Sequence, residues 1–274
     1  MTHDHDRGLS GDLPKLVDRR LVDRRLALGL MGGVGMAALV GCSTAPETPT
    51  AAPTTAGATP SAATSTAATC ATKIPQETAG PYPGDGSNGP NALTQAGIVR
   101  TDIRSSFAGA SGTARGVPLT IRLNLQQNCA PLAKAAVYLW HCDREGRYSM
   151  YSNGVTNENY LRGVQETDAQ GGVTFTSIFP AAYSGRWPHI HFEVYPSLST
   201  AATAKGRLVT SQLALPSAAC QAVYATDGYS SSVRNMAQTS LGSDMVFRDG
   251  YQSQLATVTG GVTEGFTATL TLGV

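Results

Sequence analysis

The sequence has little that would commit it to nucleic acid, to membrane spanning or to a cysteine-rich zinc site. Only 14% of its 274 residues are charged, and the formal net charge is +1. After Cys42, 14 basic residues stand against 14 acidic ones. No excess of positive charge is left to track a phosphate backbone or an anionic lipid surface. The apolar run Leu26–Val40 has 15 residues, short of the roughly 20 that cross a bilayer as a helix. The five cysteines never fall as CxxC, which argues against a Cys-rich zinc site. Histidine is scarce: of five, His3 and His5 lie at the N-terminus, leaving His141, His189 and His191. No long segment carries strong helical periodicity, and no internal repeat follows residue 42.

The N-terminal region reads as an address rather than a fold. Arg24 and Arg25 precede the apolar run, in the manner of a twin-arginine export signal, and the duplicated LVDRR offers a second pair at Arg19 and Arg20. The run ends in LVGC, like a lipoprotein cleavage box, so Cys42 is expected to become a lipidated N-terminus. From Ser43 to Thr69 the chain is almost wholly Ala, Thr, Pro and Ser, too poor in apolar surface to offset its ordering entropy. The expected organisation is a signal over 1–42, a tether over 43–69 and one domain over 70–274. The product is exported and held at the cell envelope, or secreted. Cys70, Cys129, Cys142 and Cys220 form an even set suited to two disulfides outside the cytoplasm, with the pairing open.

Within the domain, short alternating or β-branched runs recur between turn signals: 118–127, 135–142, 172–178, 189–195, 207–215 and 265–274. Pro216–Ala225 is expected to hold one or two helical turns. The pattern predicts an all-β fold, a β-sandwich of mostly antiparallel strands with long loops.

The stretch YSGRWPHIHFEVYP carries the most chemistry. On a strand, residues two apart share a face, so His189 and His191 present two imidazoles side by side, with Ile190 turned inward. Neutral imidazole suits zinc, copper, iron and nickel. Glu193 shares that face and is a candidate carboxylate ligand. Tyrosines are in surplus just upstream: Tyr148, Tyr151, Tyr160 and Tyr183. A phenolate is a hard anionic donor, matched to a highly charged ion such as Fe(III) that would lower its pKa. Asp143 and Asp168, each in a D-x-x-G stretch, read as turn formers, and Trp140 and Trp187 as core or pocket wall. Arg186 has Asp168 and Glu166 as candidate ion-pair partners.

In order, the chain shows ETAGPYP, W-x-C-D-x-x-G-x-Y, R-G-x-Q-x-T-D-x-x-G, P-x-x-Y, R-x-x-H-I-H and VTSQL. This series resembles the intradiol ring-cleavage dioxygenases, the family of catechol 1,2- and protocatechuate 3,4-dioxygenase, and most of all its exported single-domain bacterial members. The resemblance runs from about Ile74 to Ala225. It implies a ferric iron held by Tyr148, Tyr183, His189 and His191. It further implies that Tyr183 leaves the metal and takes a substrate proton, while Tyr148 stays bound. Arg186 lies over the substrate ring and stabilises developing negative charge, Gln212 lines the same pocket, and Thr78, Gly80 and Pro81 are turn residues near the substrate. The implied partners are a small aromatic diol and O2, with cleavage between the hydroxyls to a cis,cis-muconate-type product. With no N-terminal helical dimerisation segment in evidence, a monomer is expected.

Two departures stand out. The usual P-G-x-Y is Pro180-Ala181-Ala182-Tyr183 here, and Tyr183 and His189 stand only six positions apart where some members space them by a dozen or more. Both changes bear on substrate preference. The competing readings are an exported sandwich that binds polysaccharide or protein without turnover, and a zinc hydrolase using His189, His191 and a carboxylate.

Overall fold

The computed structural model describes residues 70–274. The expected signal, tether and lipidated Cys42 lie outside the described residues, as do His3 and His5. Nine strands form two sheets. One sheet pairs β1 (Pro118–Gln127) with β5 (Gly172–Ile178) on one side and β9 (Gly265–Gly273) on the other. β8 (Thr257–Gly261) extends it, and β2 (Ala130–Pro131) closes a short hairpin on β1. The second sheet runs β4 (Arg162–Glu166), β3 (Ala136–Trp140), β6 (His189–Tyr195), β7 (Val209–Ala214). Every pairing is antiparallel except β1 with β9, which is parallel.

Strand alternation explains the sandwich. Leu119, Ile121, Leu123 and Leu125 of β1 meet Val137 and Leu139 of β3 and Ile190, Phe192 and Val194 of β6 in one buried core. On this scale each large side chain removed to alanine costs about 2–5 kcal/mol. The second sheet is unusual in being buried on both faces: all seven residues of β6 are buried. Its outer face is covered by long loops, whose Ala92, Leu93, Ile98 and Tyr148 pack against Tyr138, Trp140 and Tyr195. His189 and His191 point into that loop layer. Three short helices, α1 (Leu198–Ala201), α2 (Ser217–Tyr224) and α3 (Ser230–Ala237), complete the fold. The helical turns expected after Pro216 are α2; β4, β8 and α3 lacked a sequence signal of their own.

The cysteines depart from expectation. Cys70 and Cys129 are bonded, closing a loop of sequence separation 59, while Cys142 and Cys220 are free and buried. The reason is placement. Cys142 sits in the outer loop layer beside Tyr148 and Ala181, whereas Cys220 on α2 belongs to the core between the sheets. One disulfide forms, not two.

His141 links the sheets. Its Nε2 lies 2.7 Å from Ser177 Oγ on β5 and its Nδ1 2.8 Å from the Cys142 carbonyl. Burial pushes its pKa down to about 4, against about 6.5 in an unfolded chain.

Replacing Cys70 and Cys129 by serine should lower the unfolding free energy by roughly 2–4 kcal/mol, read by urea titration. In the domain from Cys70 onward, thiol titration of the unreduced protein should find no reactive thiol when native and two when denatured. For His141 the unfolded state binds the proton first as pH falls, so its contribution to stability is present above about pH 6.5. That contribution is lost progressively toward about pH 4, by up to roughly 3 kcal/mol. Urea titrations between those limits should show a shallower loss in His141→Gln, and an unchanged slope would refute the assignment.

Candidate metal centre

Strand β6 sets the first two donors. His191 lies opposite Trp140 of β3 and Gln212 of β7, and His189 opposite Ala214. The Trp140 ring stacks on His191 at 4.9 Å with planes 7° apart, which fixes the imidazole's tilt. His189 Nδ1 lies 2.5 Å from the Trp187 carbonyl. That carbonyl can only accept, so Nδ1 carries the proton and Nε2 presents its lone pair.

Tyr148 comes from the outer loop layer. Asp143 Oδ1 accepts from the amides of Glu145 and Arg147, turning the chain just before it. Behind it, the buried guanidinium of Arg162 donates to the carbonyls of Tyr82, Pro83 and Ser149. That grip fastens the 78–83 turn to the tyrosine loop, and the Tyr82 ring packs 4.9 Å from that of Tyr148. Tyr183 follows a turn held by α3: the Ala182 amide donates to Ser232 Oγ and its carbonyl accepts from Asn235. Ala181 is not among the residues with positive φ, so this turn does not require the missing glycine.

These elements bring four donor atoms together. His189 Nε2 lies 3.1 Å from His191 Nε2 and 3.2 Å from Tyr183 Oη. Tyr148 Oη lies 3.3 Å from His191 Nε2, 3.4 Å from Tyr183 Oη and 3.5 Å from His189 Nε2. Atoms coordinated at about 2 Å to one tetrahedral centre sit roughly 3.3 Å apart. Both imidazoles are held well below their usual pKa, by burial first and then by neighbouring cations including Arg186. His189 Nε2 thus offers a lone pair 3.1 Å from His191 Nε2, which meets it either as an N–H donor or, with its own proton on Nδ1, as a second lone pair that a shared cation would bridge. His191 Nδ1 is buried without a hydrogen-bond partner, so nothing else commits that ring's protonation. The residues therefore fit a metal ion. Two phenols make the set suited to a hard, highly charged one. Burial raises the pKa of Tyr148 well above 10 and that of Tyr183 to about 12, with Arg186 opposing the latter rise. Only a strong Lewis acid would deprotonate both at neutral pH.

Arg186 flanks the cluster. Its Nη1 is 3.4 Å from His189 Nε2, and its Nη2 donates to Gln212 Oε1 at 2.6 Å. Gln212 Nε2 donates to the Thr78 carbonyl at 2.9 Å. Gly80 lies over His191: a Cβ there would stand 3.3 Å from His191 Cε1, and the φ of +70° already favours glycine. Pro81 follows, its carbonyl accepting from Asn88. All nine expected site residues thus lie in or beside one cluster.

Other candidates go elsewhere. Glu193 is not a ligand, because Arg207, Tyr195 and Thr210 engage its carboxylate further along the strand. Tyr151 donates to Asn88 and Tyr160 to Asp143. Arg186 pairs with neither Asp168 nor Glu166; its Nε donates to Asp244 Oδ2 at 2.9 Å. Asp244 sits in an aperiodic run of turns and has no sequence signal. Among the described residues no three of His, Cys, Asp and Glu gather as a metal site, which leaves the zinc reading without its carboxylate.

A family described as Dioxygenase matches residues 88–214. Catechol 1,2-dioxygenase 2 of Acinetobacter lwoffii is 35% identical over 74 residues, which is 27% of this chain. The matched stretch spans about a quarter (26%) of that relative's own length. The fold is shared with a solved intradiol ring-cleavage dioxygenase from Tetranychus urticae, at a TM-score of 0.54 and 24% identity over 64% of this chain and 86% of that one. A second solved dioxygenase gives 0.53 and 24% over 64% and 85%. The fold is that of the solved intradiol ring-cleavage dioxygenases, and the family match covers a little under half of the chain.

Gly80→Ala should destabilise the domain by roughly 1–2 kcal/mol, because an L-residue must then hold positive φ. Ferric-iron titration should show weaker binding as well, since the new methyl presses on His191; unchanged affinity with lowered stability would mean that the glycine serves the turn alone.

Proposed function

We propose that this protein is an Fe(III)-dependent intradiol dioxygenase, inserting both atoms of O2 into a catechol-type diol and cleaving the ring between its hydroxyls. The observation that carries the reading is the convergence of two phenol oxygens and two imidazole nitrogens, five of whose six pairs lie 3.1–3.5 Å apart, with Arg186 alongside. Ferric iron held by Tyr148, Tyr183, His189 and His191 would take up the diol as its dianion and make the ring electron-rich enough to react with O2.

The chain's own groups supply the rest. Tyr183 is the partly exposed tyrosine of the pair and Tyr148 the buried one, so Tyr183 is the donor with room to swing out. Burial lifts its pKa to about 12, and its phenolate, once free, is a strong base for the diol proton. Arg186 is a fixed cation beside it, placed where negative charge grows on the ring. Gln212 holds the guanidinium from one side and the Thr78 turn from the other. Gly80 packs close over His191, where even a methyl would press on the imidazole. We further propose that the enzyme works outside the cytoplasm, tethered through Cys42; the Cys70–Cys129 disulfide suits that compartment.

The deciding measurement is the visible spectrum of the ferric domain, with and without catechol under exclusion of oxygen. A tyrosinate-to-iron band that shifts on adding catechol, followed by O2 uptake and a muconate-type product, is expected. Tyr183→Phe should keep part of the band and lose roughly 10²–10⁴-fold in kcat, whereas Tyr148→Phe should lose iron. A domain that stays colourless with ferric iron would sink the proposal and leave the reading of a sandwich that binds without turnover.

A further inference from the structure

Arginine carries its charge on a long flexible arm, and Arg186 sits in a loop of only five residues between Tyr183 and His189. Its guanidinium is buried beside two phenols, either of which would attract it as a phenolate. Something must fix the direction in which the fork points. Gln212 supplies one contact, to Nη2. The other comes from Asp244, which is fully buried. Asp244 Oδ2 accepts from Arg186 Nε at 2.9 Å and from the Trp187 amide at 2.7 Å. Its Oδ1 accepts from the amides of Val246 and Phe247 at 2.8 and 3.3 Å. The carboxylate is itself immobile, because its segment packs as Val246 and Phe247 against Trp187 and Ala214.

We propose that Asp244 is the positioning residue for Arg186. It grips Nε and the neighbouring amide together, so the arm leaves the loop in one direction only. Nη1 then stays 3.4 Å from His189 Nε2 and Nη2 stays on Gln212. Without Asp244 the fork turns toward the Tyr183 oxygen and no longer serves the reacting ring. Asp244 lies beyond the matched family segment, which ends at residue 214. The inference rests on the dioxygenase reading of the site.

The test is a double-mutant cycle in the iron-loaded protein, with catechol as probe and O2 uptake as the assay. Asp244→Asn should lower kcat per iron by about 10- to 100-fold, the scale of a misplacement near 1 Å, with KM changed by less than about threefold and the tyrosinate band kept. In an Arg186→Ala background the same change should alter kcat by less than about twofold, because its effect passes through the arginine. Equal losses in both backgrounds overturn the proposal. So does a lowered Tm with unchanged kcat, which is the signature of a folding residue. If Asp244→Asn does not fold, a crystal structure of the wild-type protein with catechol under exclusion of oxygen decides. Retention of the Arg186 Nε contact to Asp244 supports the proposal, and an Arg186 that has left Asp244 overturns it. A wild-type protein that turns over no catechol overturns the dioxygenase reading and this inference with it. An active wild type with an equally active Asp244→Asn overturns this inference alone.

Discussion

Two imidazole nitrogens held 3.1 Å apart in a buried site are the constraint on which the rest of this structure depends. Neither ring readily takes a second proton, because burial and the nearby Arg186 hold both pKa values down, so the pair shares either the one proton of His191 or a metal ion. Neither can rotate away: one is clamped through Nδ1 to the Trp187 carbonyl and the other is stacked under Trp140. The backbone cost is small, since placing residues two apart on one face is what a strand does without strain. The cost falls on the covering layer, which must bury a sheet on its second face and still deliver two tyrosines to the same point.

That layer is organised by polar groups rather than by apolar packing alone. Arg162 is buried and donates to the carbonyls of Tyr82, Pro83 and Ser149 and to the hydroxyls of Ser149 and of Tyr138 on β3. A guanidinium is suited to this, with five donors in a rigid fork. Asp143 does the complementary work at the tyrosine turn, collecting amides and the Tyr160 hydroxyl. The loops are long in sequence, yet each is pinned near the residue it presents. Precision at the cluster therefore arises from local hydrogen bonds over a rigid sheet, the arrangement best able to hold side chains to fractions of an ångström.

Much of this was legible in the sequence because it is periodic or local. The run HIHFEVY has period two, so its face assignment follows directly, and the donor tyrosines stand in compact motifs next to turn residues. The parts that were not legible are those set by tertiary placement. Four cysteines suggested two bridges, but Cys142 and Cys220 were sorted into different hydrophobic clusters. Glu193 shares the histidine face as expected, yet two residues of strand rise carry it to Arg207 instead. The parallel pairing of β1 with β9 joins segments more than a hundred residues apart, beyond the reach of any local pattern. Asp244 is the sharpest case: an aspartate among serines, glycine and methionine in a run of turns, meaningful only because the chain folds back onto Trp187.

The short connection from Tyr183 to His189 gains its meaning from that fold-back. A longer loop could shape its own wall and orient its own arginine through contacts within the loop. Five residues cannot, since one reverse turn, closed by the Arg186 amide on the Tyr183 carbonyl, uses most of them. Orientation must then come from outside the loop, and two segments supply it: β7 through Gln212 and the turns around Asp244. Shortening the loop thus moves the control of the arginine from its neighbours in sequence to the far C-terminal part of the domain. The site is for that reason less local than its motifs suggest, and substitutions between residues 240 and 250 bear on an arginine some fifty residues earlier in the chain.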